Sequence, residues 1–271
     1  MKFIKMAIQK FLASHGFELA SLSQQRVDFK NFENLARAYE QNLNEKSSVI
    51  IPENSTRYKL LARLLGTPPS EAYFIVQGLC ESKNVPGEVC EFGVAQGETS
   101  ALIANEILSG NKKLHLFDSF EGLPRPSEKD ILKDDILSLG SMEAYTGTMS
   151  CPEDMVLARL KAILFPSERL ITHKGFIEKL DLEDDSLPKE VSFAYVDFDF
   201  YEPIKIALDY LDKVTPKSAV VVVDDYDFFS TGSKTAVDEF IKKMNSKGER
   251  YKLFIPDSKY GYFAILTKIS S

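Results

Sequence analysis

Two short apolar runs in the sequence each end in paired aspartates. Val220–Val223 runs directly into Asp224 and Asp225, and Ser192–Val196 ends in Asp197-Phe198-Asp199. Such runs are typical of strands that are buried on both faces, and open parallel sheets bind their ligands at the carboxyl ends of the strands. We therefore expect Asp197, Asp224 and Asp225 to converge on one divalent cation, with Asp199 beside it.

Each aspartate taken alone has a simpler explanation, because short polar residues after a strand often cap the next helix. Two strands of one sheet that both end in paired carboxylates favour a shared cation. Like charges this close raise each other's pKa unless a cation neutralises them. Ligands that are all oxygen atoms suit a hard ion such as Mg²⁺.

A glycine-containing turn, Glu91 to Gly97, follows the first predicted strand of this region. Gly93 and Gly97 leave room for a ligand near the backbone and can adopt positive φ without strain. The spacing is neither the GxGxxG dinucleotide fingerprint nor a phosphate-binding P-loop. Asp118 ends the next predicted strand, where it can accept hydrogen bonds from ribose hydroxyls. A tight turn followed by a helix cap is the alternative interpretation.

The order of the predicted elements indicates the fold class. Strand and helix patterns alternate over residues 84–271, which predicts a doubly wound α/β sheet with an antiparallel C-terminal edge. Residues 1–83 are predicted to form a helical N-terminal extension. The stretch at about 121–150 is rich in Pro, Gly, Asp and Leu, and a loop of this length is typical of a mobile lid.

Composition limits the possible partners and the compartment. The 271 residues carry 33 basic and 40 acidic side chains, a net charge of −7, which argues against nucleic-acid binding. Three widely spaced cysteines without a CxxC pair favour a reduced, cytoplasmic setting. No stretch is long and apolar enough to span a bilayer.

The amino terminus begins basic and half apolar, as a signal peptide does. Lys5, Gln9 and Lys10 interrupt any apolar core. The apolar residues between positions 3 and 12 have helical spacing, which favours an amphipathic helix. A subunit interface is one use for such a helix, and it suggests a homo-oligomer.

Four motifs in order resemble one known family. GEVCEFGVAQGETS, LFDSFEGLP, YVDFDFYEP and VVVVDDYDFF, with AVDEF after them, are similar to the macrocin O-methyltransferase family over residues 84–268. The resemblance implies a Rossmann-like methyltransferase sheet that uses S-adenosylmethionine and Mg²⁺. It also implies methylation of a sugar hydroxyl on a natural product, polysaccharide or nucleotide sugar.

The resemblance further implies roles for single residues. Asp197, Asp224 and Asp225 match the metal ligands, Asp199 matches the general base, and residues 122–147 match the region that closes over the substrate. The residues expected at the cofactor are Glu91, Gly93, Gly97, Thr99, Asp118, Ser119 and Gly175. Glu91, Gly93 and Gly97 would line the methionine part of the cofactor, whereas Asp118 and Ser119 would lie at its ribose.

Two other functions remain open on the sequence alone. A catechol-type O-methyltransferase would apply the same metal chemistry to a planar diol. A non-catalytic protein could retain the cofactor-binding fold without turnover, although it would have no need of a base beside a metal. An NAD-dependent dehydrogenase is disfavoured by the glycine spacing.

Overall fold

The computed structural model describes residues 22–46 and 49–270. The chain divides into two compact units, residues 1–47 and 48–271. In the first unit the structure describes one helix, α1 (Leu22–Lys46), in which Arg37 pairs with Glu33 one turn earlier at 3.0 Å. The amphipathic helix expected between positions 3 and 12 lies outside the described residues.

The second unit is built on a seven-stranded sheet. Its strands are β1 (Glu88–Phe92), β2 (Leu114–Asp118), β3 (Leu170–Lys174), β4 (Val191–Val196), β5 (Val220–Val223), β6 (Tyr251–Phe254) and β7 (Ala264–Lys268). The strand order is β3-β2-β1-β4-β5-β7-β6. Strands β1 to β5 are parallel, and β7 pairs antiparallel with both β5 and β6. The predicted doubly wound sheet with an antiparallel C-terminal edge is confirmed.

Helices cover both faces of this sheet. They are α2 (Ser55–Leu61), α3 (Pro69–Glu81), α4 (Glu98–Ile107), α5 (Glu153–Ala162), α6 (Tyr201–Val214) and α7 (Gly232–Met244). Val221 and Val223 of β5 belong to the apolar cluster that includes α6 and α7. Val220 and Val222 belong to the cluster that includes α3, α4 and α5. Because side chains alternate along a strand, burial on both faces requires the unbroken run of valines.

Helices α2 and α3 lie within the N-terminal extension predicted over residues 1–83, and they belong to the compact unit that begins at residue 48. Arg57 of α2 is fully buried, and its guanidinium binds both carboxylate oxygens of Glu106 in α4, at 2.9 and 2.5 Å. Ile75 and Leu79 of α3 lie in the same core as the sheet. In the described part of the chain, no helix combines the length and apolar character needed to cross a bilayer.

Residues 121–150 form an irregular segment with a short 3₁₀ turn at Glu143–Tyr145. Two hydrogen bonds close the segment at its base: Leu123 N–H donates to the Thr148 carbonyl at 2.9 Å, and Gly147 N–H donates to the Leu123 carbonyl at 2.8 Å. Further out, Leu132 forms an antiparallel bridge with Ser230. The segment is therefore joined to the loop that follows β5.

Side chains strengthen this attachment. Asp130 is buried and accepts a hydrogen bond from the backbone N–H of Tyr201, the first residue of α6, at 2.8 Å. The rings of Tyr145 and Phe229 meet edge to face with centroids 4.8 Å apart. Lys133 pairs with Asp227. The structure thus shows a docked segment, and its mobility remains a prediction.

Candidate active site

The candidate site lies where the strand order reverses, between β1 and β4. Backbone pairing continues past both strands, since Asp197 N–H donates to the Phe92 carbonyl at 2.7 Å and Asp224 N–H donates to the Val196 carbonyl at 2.9 Å. The turns after β1, β4 and β5 are therefore held side by side. Ligands of open α/β sheets bind at such a switch point.

Three carboxylates meet at this point. One oxygen from each of Asp197, Asp199 and Asp225 lies within 4.8 Å of the others. Burial and mutual repulsion raise the pKa of all three well above the ordinary value for an aspartate. Opposite ligands of Mg²⁺ are about 4 Å apart, at about 2.1 Å from the ion, so the donor type and spacing fit a bound Mg²⁺.

Two of these aspartates have unusual backbone conformations. Asp199 has φ +62° and Asp225 has φ +55°, in the left-handed region that most side chains avoid. Around Asp199 the chain makes a three-residue turn in which Phe200 N–H donates to the Phe198 carbonyl at 2.6 Å. Such backbone strain is concentrated at functional sites, where the surrounding structure maintains it.

Asp224 lies beside these three carboxylates but is oriented differently. Its Oδ2 accepts a hydrogen bond from the Tyr195 hydroxyl at 2.6 Å, and its Oδ1 accepts one from Asp225 N–H at 2.7 Å. Burial raises the pKa of Asp224, and these hydrogen bonds oppose the increase. The structure thus groups Asp199, rather than Asp224, with Asp197 and Asp225.

Glu71 of α3 is a further acid at this site that sequence reasoning missed. It is 1% exposed, its Oε1 has no hydrogen-bond partner, and it contacts Asp224. Burial, followed by the charge of Asp224, raises the pKa of Glu71 well above its ordinary value. Glu71 lies in the predicted helical N-terminal extension, and the amphipathic pattern of that segment alone does not show that Glu71 would lie near the residues after β5.

The two glycines of the turn after β1 are needed because neighbouring protein atoms leave no room for a side chain at either position. A Cβ added to Gly93, which has φ +84°, would overlap the carbonyl oxygen of Asp197 and lie 2.6 Å from its carbonyl carbon. A Cβ on Gly97, which has φ +78°, would lie 2.9 Å from the side chain of Val156 in α5. The close approach that these glycines permit therefore involves protein groups, and their contact with cofactor remains a prediction.

Asp118 connects this turn to the end of β2. Its Oδ2 accepts hydrogen bonds from the backbone N–H groups of Val94 and Ala95, at 2.6 and 3.2 Å, and its Oδ1 accepts one from Phe120 at 2.6 Å. Ser119 lies next to it and donates to the Gly122 carbonyl at 3.1 Å. Both residues line the cavity, as a ribose-binding role requires.

Glu91 is the most unusual of the residues expected at the cofactor. It is 1% exposed in the middle of the sheet, and neither carboxyl oxygen has a hydrogen-bond partner. Burial raises its pKa to about 8; the neighbouring Ser100 hydroxyl opposes this increase, and the charge of Asp118 adds to it. Such an unpaired buried carboxyl group is costly, and an amino group of a bound cofactor would provide the missing partner.

The remaining two predicted cofactor residues occupy different positions. Gly175 lines the cavity, has φ +142° and donates its N–H to the Asp118 carbonyl at 2.9 Å. Thr99 lies in the first turn of α4 and does not line the cavity. Its hydroxyl is buried and lies 3.0 Å from that of Thr67.

The cavity runs from Asp118 to the acidic group and is walled mainly by apolar side chains. Gly66 lines it from the turn before α3, and Phe228 lines it from the loop after β5. The segment 121–150 contributes Leu123, Pro124, Ile136 and Met149. No Lys or Arg is among the described residues that line it.

The comparisons with known proteins agree with this geometry. The sequence profile of the macrocin O-methyltransferase (TylF) family matches residues 76–250, well over half of the chain. The chain therefore belongs to the macrocin O-methyltransferase family and is an S-adenosylmethionine-dependent O-methyltransferase. No curated protein matches the chain in sequence.

Solved structures show the same fold at low sequence identity. The O-methyltransferase NovP has a TM-score of 0.61 and 20% identity, covering 75% of this chain and 81% of its own. The calicheamicin methyltransferase CalS11 has a TM-score of 0.58 and 19% identity, covering 93% and 95%. An apo structure of CalS11, described as a TDP-rhamnose 3'-O-methyltransferase, has a TM-score of 0.53 and 19% identity, covering 93% and 97%.

Proposed function

We propose that this chain is a Mg²⁺-dependent O-methyltransferase that methylates a sugar hydroxyl. The observation that carries the proposal is the group formed by Asp197, Asp199 and Asp225, which lies at the switch point of the sheet and opens into the cavity. CalS11, which has a similar fold, is described as acting on TDP-rhamnose. A sugar acceptor is also consistent with the family to which the chain belongs.

The proposed chemistry divides between the bound groups and the residues of the chain. When bound, S-adenosylmethionine supplies a methyl group on a positively charged sulfur, and Mg²⁺ lowers the pKa of the hydroxyl that it ligates. Asp197, Asp224 and Asp225 would hold the metal. Asp199 would accept the proton of the acceptor hydroxyl as the general base.

The other residues orient the reactants and exclude water. Asp118 and Ser119 would hold the ribose hydroxyls of the cofactor, and Glu91 would pair with its amino group. The docked segment 121–150 covers the cavity with apolar side chains, which limits access of water to the reacting atoms. With the acceptor oxygen, the methyl carbon and the sulfur held in line, the methyl group can pass directly to the acceptor, and no protein nucleophile is needed.

Titration calorimetry tests the cofactor and the metal separately. Wild-type protein should bind S-adenosylhomocysteine, and in its presence should bind Mg²⁺. Asp197→Asn and Asp225→Asn should lose Mg²⁺ binding but retain cofactor binding. Wild-type protein that does not bind S-adenosylhomocysteine would refute the function. Full methyl transfer after exhaustive chelation would refute the role of the metal.

Transfer of labelled methyl groups tests the acceptor and the base. Asp199→Asn should keep cofactor binding and lose about 10²- to 10⁴-fold in turnover, the usual contribution of a general base. The acceptor panel consists of nucleotide sugars, simple glycosides, oligosaccharides and catechols. Transfer to catechols alone would replace the sugar assignment with the catechol-type alternative.

We also propose that the protein works in the cytoplasm as a homo-oligomer and that its acceptor is a small molecule or a glycan. Cys80, Cys90 and Cys151 are all free, which suits a reducing compartment. Size-exclusion chromatography with light scattering measures the oligomeric state, and a monomer at micromolar concentration would contradict this part of the proposal.

A further inference from the structure

We propose that Tyr195 is a positioning residue that orients Asp224, and that a chain of buried hydroxyl groups from Thr99 through Thr67 orients Tyr195. The inference rests on the proposed function, because the group to be positioned belongs to the proposed Mg²⁺ site. It concerns residues that would contact neither the metal nor the acceptor.

The chain of hydroxyl groups crosses three separate parts of the fold. The Thr99 hydroxyl in α4 lies 3.0 Å from that of Thr67, which precedes α3. The Thr67 hydroxyl lies 3.3 Å from the hydroxyl of Tyr195 in β4, and Tyr195 donates to Asp224 Oδ2 at 2.6 Å. Tyr195 is fully buried, and Thr67 and Thr99 are 4% and 8% exposed.

The acidic end determines the direction of every hydrogen bond in this chain. A carboxylate that holds a cation is ionised and only accepts hydrogen bonds, so with the metal bound the single proton of the Tyr195 hydroxyl would be committed to Asp224. The Tyr195 oxygen must then accept from Thr67, and the Thr67 oxygen must accept from Thr99. Hydrogen bonds in such a chain polarise one another and become stronger, and a desolvated setting adds to this effect.

The chain of hydroxyl groups fixes one oxygen of Asp224, while the N–H of Asp225 fixes the other at 2.7 Å. The two carboxylate oxygens have four lone pairs between them, so Asp224 can accept these two hydrogen bonds, contact Glu71 and still bind a cation. Outer partners that hold a ligating carboxylate in this way typically change metal affinity 10- to 100-fold when they are removed. Tyr195 is therefore expected to act on metal affinity.

The positions of Thr67 and Thr99 extend this effect to the rest of the site. Thr67 follows Leu65 and Gly66, which line the cavity, and Thr99 lies two residues after Gly97 in the cofactor turn. The chain of hydroxyl groups thus connects the cavity wall and the cofactor turn to Asp224, the proposed metal ligand. Removal of the Thr67 hydroxyl should weaken metal binding although Thr67 does not touch Asp224.

The test compares Tyr195→Phe with Tyr210→Phe. Both variants remove one buried phenolic hydroxyl, but that of Tyr210 donates to the Pro188 carbonyl, away from the site. Titration calorimetry with Mg²⁺ in the presence of saturating S-adenosylhomocysteine should show 10- to 100-fold weaker binding for Tyr195→Phe. Tyr210→Phe should bind Mg²⁺ as wild type does, and both should keep wild-type affinity for S-adenosylhomocysteine.

A second pair of variants tests the chain of hydroxyl groups. Thr67→Val removes the hydroxyl at nearly constant volume and should also weaken Mg²⁺ binding, whereas Thr67→Ser keeps the hydroxyl and should restore it. Unaltered Mg²⁺ affinity in Tyr195→Phe would overturn the assignment of Tyr195. Equal losses of Mg²⁺ affinity in Thr67→Val and Thr67→Ser would overturn the proposed role of the chain of hydroxyl groups. A wild-type protein that binds S-adenosylhomocysteine but no Mg²⁺ would refute the metal site and this assignment together, and would leave the methyltransferase assignment intact.

Discussion

The stability of the Glu91→Gln variant relative to wild type should increase as the pH rises. Burial raises the pKa of Glu91 in the folded protein to about 8, from an ordinary value of 4.5. The folded state therefore holds the Glu91 proton more tightly than the unfolded state does. Stability is greatest below the ordinary pKa and is lost as the pH rises toward 8, because ionisation then favours the unfolded chain.

The size of the effect follows from the two pKa values. Between pH 6 and pH 8 the unfolded chain has already released this proton and the folded protein has largely kept it. The first pH unit removes about 1.4 kcal/mol from the free energy of unfolding. The second removes about 1 kcal/mol, because Glu91 also begins to ionise in the folded protein as the pH approaches 8, so the two units together remove about 2 kcal/mol. Gln cannot ionise, so the Glu91→Gln variant does not lose this part of the free energy of unfolding.

Urea unfolding of the ligand-free protein measures the difference directly. The free energy of unfolding of Glu91→Gln minus that of wild type should increase by about 2 kcal/mol from pH 6 to pH 8. The exposed Glu121→Gln is the matched control and should show no such increase. A difference that stays constant from pH 6 to pH 8 would show that Glu91 is ionised over this whole range, and would refute the reasoning.

Three further substitutions test the surroundings of the site. Gly93→Ala and Gly140→Ala both place a side chain at φ above +80°, but of these two positions only Gly93 lacks space for a Cβ. Urea unfolding should therefore show a free energy of unfolding that falls by about 1–3 kcal/mol more for Gly93→Ala than for Gly140→Ala. Equal losses in the two variants would contradict the close approach at Gly93. Phe228→Ala should raise KM for the acceptor more than KM for S-adenosylmethionine in a methyl-transfer assay, because the ring lines the cavity; a change in the cofactor KM alone would be contrary evidence. Tyr145→Phe removes a hydrogen bond of 2.7 Å to Asp135 and should speed limited proteolysis within residues 131–141, and an unchanged cleavage rate would argue against this anchor.

The sheet could be predicted from the sequence because its signals are local. The run Val220–Val223 and the alternation of strand and helix patterns depend on neighbouring residues only. The place of α3 could not be predicted in the same way. Its apolar periodicity shows that one face of the helix is buried. The packing of Ile75 against the sheet depends on tertiary structure, which this periodicity does not reveal. The compact unit therefore begins before the first of the four motifs.

The candidate site shows the same limit. The convergence of acids after β4 and β5 follows from strand ends meeting at one edge, and the structure brings Asp197, Asp199 and Asp225 together. The orientation of Asp224 depends on Tyr195, which reads as a core aromatic in the run SFAYV. A buried tyrosine hydroxyl needs a hydrogen-bond partner, and this need is the one indication in the sequence that Tyr195 contacts a polar group. The need for Gly93 is visible in the sequence, but the Asp197 carbonyl beside it is not.

The way in which segment 121–150 is closed at its base has a consequence for protein engineering. The reciprocal hydrogen bonds between Leu123 and the Thr148–Gly147 stretch bring the two ends of the segment together, so its interior can be exchanged between related enzymes as a cassette without opening the sheet. Such a cassette would not transfer alone. The bridge from Leu132 to Ser230 and the bond from Asp130 to the start of α6 require that the loop after β5 be exchanged with it.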